Sequence, residues 1–266
     1  MAGRLDLGFA LPTLTMQAYR SILRISRVTW SLLAHEPESG SFAVAVTTCA
    51  LAVGASCPFV RTGVGAVSTQ SITNRYLGPA VLDAMARGLS PAAAIEGALA
   101  GDDGKHLRQI HALDCHGRSA AWTGENCVEW AGHRMGTGWS VAGNMLAGEA
   151  VIADTIASFL ARQDLAMPER MMSALQAGEA AGGDRRGRQS AALQLVTTED
   201  FPDIDLRVDD HANPLDELER LVRLWRTTRA PGQRNAPSRA HPSGSINMDT
   251  IEANWRKQGL DLRFKR

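Results

Sequence analysis

From position 29 onward the order of apolar and polar residues is that of sheet. Thr29-Trp30-Ser31-Leu32-Leu33-Ala34-His35 is a short β-type run, and Ser41-Phe42-Ala43-Val44-Ala45-Val46-Thr47 alternates small or polar with apolar side chains. Pro37-Glu38-Ser39-Gly40 between them supplies turn chemistry, so the pair reads as a hairpin. A third strand is expected over 63–70, where glycines allow close backbone approach. Helices are predicted over 76–87 and, behind Ser90-Pro91, over 92–100; proline just inside a helix start is well placed. Strands near 107–113 and 119–123 flank a hairpin turn at Asp114-Cys115-His116-Gly117, and another strand is expected over 139–142.

A second helical pair follows over 147–162 and 168–180, then a glycine-rich loop at Gly182-Gly183, and strands over 191–197 and 204–208. The last predicted helix, 214–225, puts Leu215, Leu218, Leu221, Val222 and Trp225 on one face. Strands, helix pair, strands, helix pair, strands, helix is the order of an α+β fold. Its hairpins imply antiparallel sheets, with the two helix pairs covering their outer faces. Residues 1–28 fit none of this. Arg4, Arg20, Arg24 and Arg27 stand there against the single acid Asp6, which suits either an amphipathic targeting segment or a dispensable extension. The extension is preferred, because the β pattern starts only at Thr29. The domain is expected over 29–226, and the Pro, Gly, Ser, Asn and Arg content of 227–266 predicts a disordered basic tail with a short terminal helix over 251–256.

Composition narrows the function. Twenty-eight Lys and Arg balance 28 Asp and Glu, so no global field draws the chain to nucleic acid or to an anionic membrane. No window reaches the roughly 20 apolar residues of a membrane span. Cys49, Cys57, Cys115 and Cys127 form no CxxC pair and the histidines show no ligand spacing, so neither a metal nor another cofactor is expected. Reduced thiols in a cytoplasmic protein are the expectation, with Cys49 and Cys57 in the core. A G-x-S-x-G elbow, P-loop, H-E-x-x-H and dinucleotide fingerprint are all missing from the sequence.

Candidate chemistry lies where loops meet strand ends. The densest cluster is Gly182-Gly183-Asp184-Arg185-Arg186-Gly187-Arg188-Gln189-Ser190, in which the planar fork of Arg186 would suit a substrate carboxylate. Asp205-Leu206-Arg207-Val208-Asp209-Asp210-His211 reads either as an ion-pair ladder or as a site edge with Asp209 and His211 as binding residues. Gln70 and Asn144, beside strand ends, have amides able to donate to an oxyanion, and Gly143 would permit close ligand approach.

These segments, together with Arg61-Thr62-Gly63-Val64-Gly65-Ala66-Val67, Ala121-Trp122-Thr123-Gly124 and Leu146-Ala147-Gly148, resemble the DUF1028 proteins. The resemblance runs in order from about Thr29 to Trp225. It implies a four-layer αββα sandwich of two stacked antiparallel sheets and membership of the N-terminal-nucleophile hydrolase superfamily. Such enzymes attack with the first residue of the mature chain and use its own α-amino group as base. Family members typically begin Met-Thr-Phe-Ser, so the resemblance assigns the nucleophile to Thr29, with Val28 in place of the initiator methionine. GTG initiation at Val28, self-cleavage after it, and a Thr29 that stays internal are the three routes left open. The implied activity is hydrolysis of a small-molecule amide or related C–N bond. Gln70 or Asn144 would stabilise the oxyanion, Asp184, Gln189 and Ser190 would orient the Thr29 amine or the substrate, and Arg186 would bind an acidic group. The rival is a non-catalytic ligand-binding or assembly module. A homodimer is expected only because sheet edges need cover.

Overall fold

The computed structural model describes residues 29–233, 235–257 and 259. The extension read at 1–28 lies outside the described residues. Among the described residues ten strands form two antiparallel sheets. One has the order β10-β9-β2-β1-β8-β7, built from β1 (Thr29–Glu36), β2 (Ser41–Thr48), β7 (Gly132–Gly136), β8 (Trp139–Asn144), β9 (Ser190–Val196) and β10 (Ile204–Val208). The other has the order β3-β4-β5-β6, built from β3 (Pro58–Arg61), β4 (Gly65–Ser71), β5 (Arg108–Asp114) and β6 (Ser119–Thr123).

Five helices of nine residues or more belong to the predicted domain: α1 (Leu77–Ala86), α2 (Pro91–Leu99), α3 (Ala150–Ala161), α4 (Met167–Ala180) and α5 (Pro214–Thr228). Proline sits in the first turn of α2, α4 and α5, where its missing N–H costs nothing, and Ser90 caps α2 by accepting from the Ala93 N–H at 3.3 Å.

Alternation decides what each strand packs against. Trp30, Leu32 and Ala34 of β1 bury themselves with Val151, Ile152 and Phe159 of α3 and Met171, Met172 and Leu175 of α4, a cluster that also takes in Leu218 and Val222 of α5. Val67, Ile110 and Ala112 of the smaller sheet do the same with Val81, Leu82, Ile95 and Leu99 of α1 and α2. The opposite faces meet each other: Leu33, Phe42, Val44 and Val196 of one sheet pack on Ala66 and Leu113 of the other. Burying these side chains is the main favourable contribution to the fold.

The predicted strands and long helices are all present, and the main differences are these. β3 and β7 were not expected; both are edge strands paired on one side only, and Pro-Phe-Val-Arg and Gly-His-Arg-Met-Gly carry no alternation. β8 runs on to Asn144, so Asn144 is a strand residue. Cys57 is buried as expected, whereas Cys49 is half-buried at the strand exit. The 227–266 segment contains a helix, Met248–Lys257, longer than the 251–256 expected. Among the described residues no helix is long and apolar enough to cross a membrane.

Candidate functional site

Thr29 opens β1, the strand flanked by β8 and β2. Registers place Asn144 of β8, Thr29 of β1, Thr48 of β2 and Ser190 of β9 side by side across one end of the larger sheet. Directly paired residues share a face, and alternation turns this row toward the smaller sheet, away from the helices that hold Trp30. All four are buried, at 2% exposure or less. The Thr29 hydroxyl donates to the Thr48 hydroxyl at 3.3 Å.

The space between the sheets is therefore apolar at one end and polar at the other. At the Thr29 end Ser31, Ser140 and Asn144 meet Gln70, Gln109 and His111 of the smaller sheet, all essentially without solvent exposure. Gln70 Nε2 donates to Gln109 Oε1 at 2.8 Å, to the Ala142 carbonyl at 3.1 Å and to the Thr29 carbonyl at 3.3 Å. Asn144 Nδ2 donates to Gln109 Oε1 at 3.0 Å and to the Thr29 carbonyl at 3.4 Å. Burying so many polar groups is tolerable only because they satisfy one another, and it forfeits the packing that apolar side chains would give. The oxyanion role expected of Gln70 or Asn144 meets a different arrangement: both amides are committed to the main chain of Thr29.

The Gly182–Ser190 segment closes over the same end. Asp184 forms a bridge with Leu146 beyond β8, and Ala147 N–H donates to the Gly183 carbonyl at 3.0 Å. On the other side of β1, Asp184 Oδ2 accepts the Cys49 N–H at 2.6 Å, just beyond β2. The segment thus ties together the two loops that flank Thr29. Asp184 Oδ1 accepts the Arg186 N–H at 2.8 Å, and the Arg186 guanidinium lies 3.3 Å from Oδ2. Arg186, expected to clamp a substrate carboxylate, is paired with a carboxylate of its own chain. Gly183 has φ +51°, a backbone conformation that favours glycine, and a Cβ there would stand 2.6 Å from the Glu179 carboxylate, which would have to shift.

Ser190 Oγ accepts the Val53 N–H at 3.1 Å and donates to the Ala50 carbonyl at 2.5 Å, holding the loop after β2. Gln189 contacts Asp210 at 3.1 Å, away from Thr29. Asp209 takes a contact from Arg207 at 2.9 Å to each oxygen, an ion pair between β10 and the residue just beyond it, and exposed His211 accepts the Asn213 N–H at 3.0 Å. These two lie at the outer rim. Gly143 meets side chains: a Cβ there would stand 2.5 Å from Leu146 and 2.9 Å from the Trp30 Cβ, so its approach serves packing. Burial, aided by Asp184, pushes the Cys49 thiol up, which leaves it a poor nucleophile. Among the described residues no group of three or more His, Cys, Asp or Glu could hold a metal ion.

Backbone strain marks the same end. Among the described residues Ala52, Ser71 and Met145 are the non-glycine residues with positive φ, at 56°, 70° and 52°. Ser71 ends β4, Met145 directly follows β8, and Ala52 lies in the loop after β2. Strain of this kind persists where surrounding structure over-determines it, often at functional sites.

Ser31, Thr48, Gln109, His111 and Ser140 belong to the site and were not singled out from the sequence. The available signal was the polar alternation Ser68, Gln70 and Gln109, His111 within strands that also carry the core residues Val67, Ile110 and Ala112.

The DUF1028 family model, described as a family of unknown function, matches residues 29–218, beginning at the residue that opens β1. The chain belongs to the DUF1028 family. The crystal structure of the DUF1028 protein SPO2555 from Silicibacter pomeroyi is similar at 30% identity and a TM-score of 0.77, over 83% of this chain and 96% of that one. Anbu (ancestral beta-subunit) from Yersinia bercovieri aligns at 10% identity and a TM-score of 0.36, over 74% of this chain and 96% of that chain. No curated protein matches this DUF1028 chain.

Proposed function

We propose that this DUF1028 protein is an N-terminal-nucleophile hydrolase with a four-layer αββα sandwich, cleaving an amide or related C–N bond of a small molecule with Thr29. The observation that carries the proposal is the position of Thr29: first residue of both the family match and β1, with its side chain turned into the polar end between the sheets. Three clusters support that layer order, with helices packed on each sheet and sheet against sheet between them.

Once Thr29 is the amino terminus, its α-amine, with a pKa near 8 in peptides, is a base near working pH held beside the hydroxyl by covalent geometry. Oγ1 gives its proton to that amine and attacks the substrate carbonyl carbon. The C–N bond breaks as the ammonium returns the proton to the leaving nitrogen. Water, deprotonated by the same amine, then hydrolyses the ester on Oγ1. Asp184 bridges the loops on either side of Thr29, which suits it to face the new ammonium. Gln70 and Asn144 hold the Thr29 carbonyl, and Ser190 holds the loop after β2. Arg186, Gln189, Asp209 and His211 form an outer rim for the substrate.

The test uses a chain beginning at Thr29 and a β-lactone, which a nucleophilic hydroxyl opens to an ester. Intact and peptide mass should place one adduct on Thr29. A chain carrying one residue ahead of Thr29 has an amide where the amine was, and should remain unlabelled. Equal labelling of both chains rejects amine-assisted attack, and labelling of neither leaves the binding-module alternative.

A further inference from the structure

Ser31 lies two residues along β1 from Thr29, on the same face. Its hydroxyl has one proton and two close partners, Gln70 Oε1 at 2.7 Å and His111 Nε2 at 2.8 Å. Groups that can only accept decide where that proton goes. Gln70 Nε2 faces the carbonyls of Thr29 and Ala142, and Gln109 Nε2 faces those of Gly143 at 2.8 Å and Gly132 at 3.1 Å. Neither amide can flip without setting its oxygen against them. Gln70 Oε1 must therefore face Ser31, and the Ser31 proton is given to it. His111 then has to supply the proton of its own contact, from Nε2 to Ser31 Oγ. That leaves Nδ1 bare, to accept the Ser140 hydroxyl at 2.8 Å.

We propose that His111, fixed as the Nε2–H tautomer, is a positioning residue for Thr29, acting through a one-way hydrogen-bond chain from Ser140 through His111, Ser31 and Gln70 to the Thr29 carbonyl. The proposal rests on Thr29 as nucleophile for its catalytic meaning, whereas the chain itself stands on the geometry. Holding the Thr29 carbonyl fixes rotation about its Cα–C bond, and so fixes where the amine and hydroxyl stand relative to the sheet. Each donor in such a chain strengthens the next, and a low-dielectric interior adds to the effect. His111 is fully buried, and burial, with a smaller electrostatic effect of nearby His133, lowers its pKa to about 3, so one neutral tautomer persists across the working range.

Nitrogen-15 spectra of histidine-labelled protein beginning at Thr29 read the tautomer, carbonyl-13C threonine labelling reads the Thr29 carbonyl, and β-lactone acylation reads its reactivity. His111 should show the Nε2–H pattern from pH 7.5 to 5. Ser31→Ala should shift the Thr29 carbonyl resonance and slow Thr29 acylation roughly tenfold, the scale of a small loss of orientation. A role in stability alone would lower the melting temperature and leave the carbonyl resonance in place. An Nδ1–H pattern, or an unmoved carbonyl resonance in folded Ser31→Ala protein, overturns the proposal. Should Ser31→Ala fail to fold, the tautomer in the unmodified sequence decides. Absence of acylation in that sequence would sink Thr29 as nucleophile, while the two spectra still decide the chain.

Discussion

Asp184 and Cys49 are joined by a 2.6 Å hydrogen bond from the Cys49 main-chain N–H to the Asp184 carboxylate, across the end of the strand that Thr29 begins. The side chain of Asp184 is 1% exposed, so this contact and the Arg186 pair are what make its burial affordable. Asp184→Ala should cost roughly 3 kcal/mol, the scale for removing one partner of a buried charged pair. Asp184→Asn should cost about half as much, because the amide oxygen can still accept the Cys49 N–H. Urea denaturation of both variants checks this.

In a chain that starts at Thr29, Asp184 should also hold the α-ammonium in its charged form. Asp184→Asn is expected to lower the pKa of that amine by up to about one unit, the low end for loss of an opposite charge. The pH profile of β-lactone acylation should then move to lower pH, and an unshifted profile would place Asp184 away from the amine.

Thr29 variants separate hydroxyl from amine. With a substrate found by screening amides, lactams, cyclic imides and N-carbamoyl acids, Thr29→Ser should retain measurable turnover. Thr29→Ala keeps the amine and loses the attacking oxygen, so turnover should fall on the order of 10⁴-fold or more, with melting temperature nearly unchanged.

His111 gives stability a pH dependence. In the unfolded chain its pKa is near 6.5 and in the fold about 3, so between these values the unfolded state binds more protons. Stability should fall as pH drops through this window, by up to about 1.4 kcal/mol per unit from this group. Denaturation curves at pH 7 and pH 5 should diverge less in His111→Gln than in the unmodified sequence.

Asp102 acts at lower pH. Arg108, Asn74 and the Gly104 N–H hold its carboxyl down to about 2 from an ordinary 3.8, despite the opposing effect of burial. Its contribution is complete above pH 3.8 and is lost as pH falls through 2. Asp102→Asn should remove that acid-labile share and loosen the loop after β4, since Arg108 also donates to the Ile72 carbonyl at 2.8 Å. Acid titration followed by circular dichroism reads both proteins.

Local pattern determined most of the elements. Alternation in Ser41-Phe42-Ala43-Val44-Ala45-Val46-Thr47 makes β2, proline in the first turn sets α2 and α5, and a one-sided apolar stripe makes α5, because each depends on neighbours within a few residues. The DUF1028 resemblance pointed to Thr29 as a special position. What no local pattern holds is which strands lie beside one another. Only the order β9-β2-β1-β8 lines up Ser190, Thr48, Thr29 and Asn144, and only the stacking of the second sheet brings Gln70, Gln109 and His111 against them. His111 looked like one histidine among seven because its partners, Ser31 and Ser140, are 80 and 29 residues away in the chain. Gln70 and Asn144 were legible as polar residues near strand ends, but the direction of an amide depends on acceptors supplied from other strands. Hydrogen bonds act over about 3 Å of space, and the fold alone turns distance along the chain into distance of that kind.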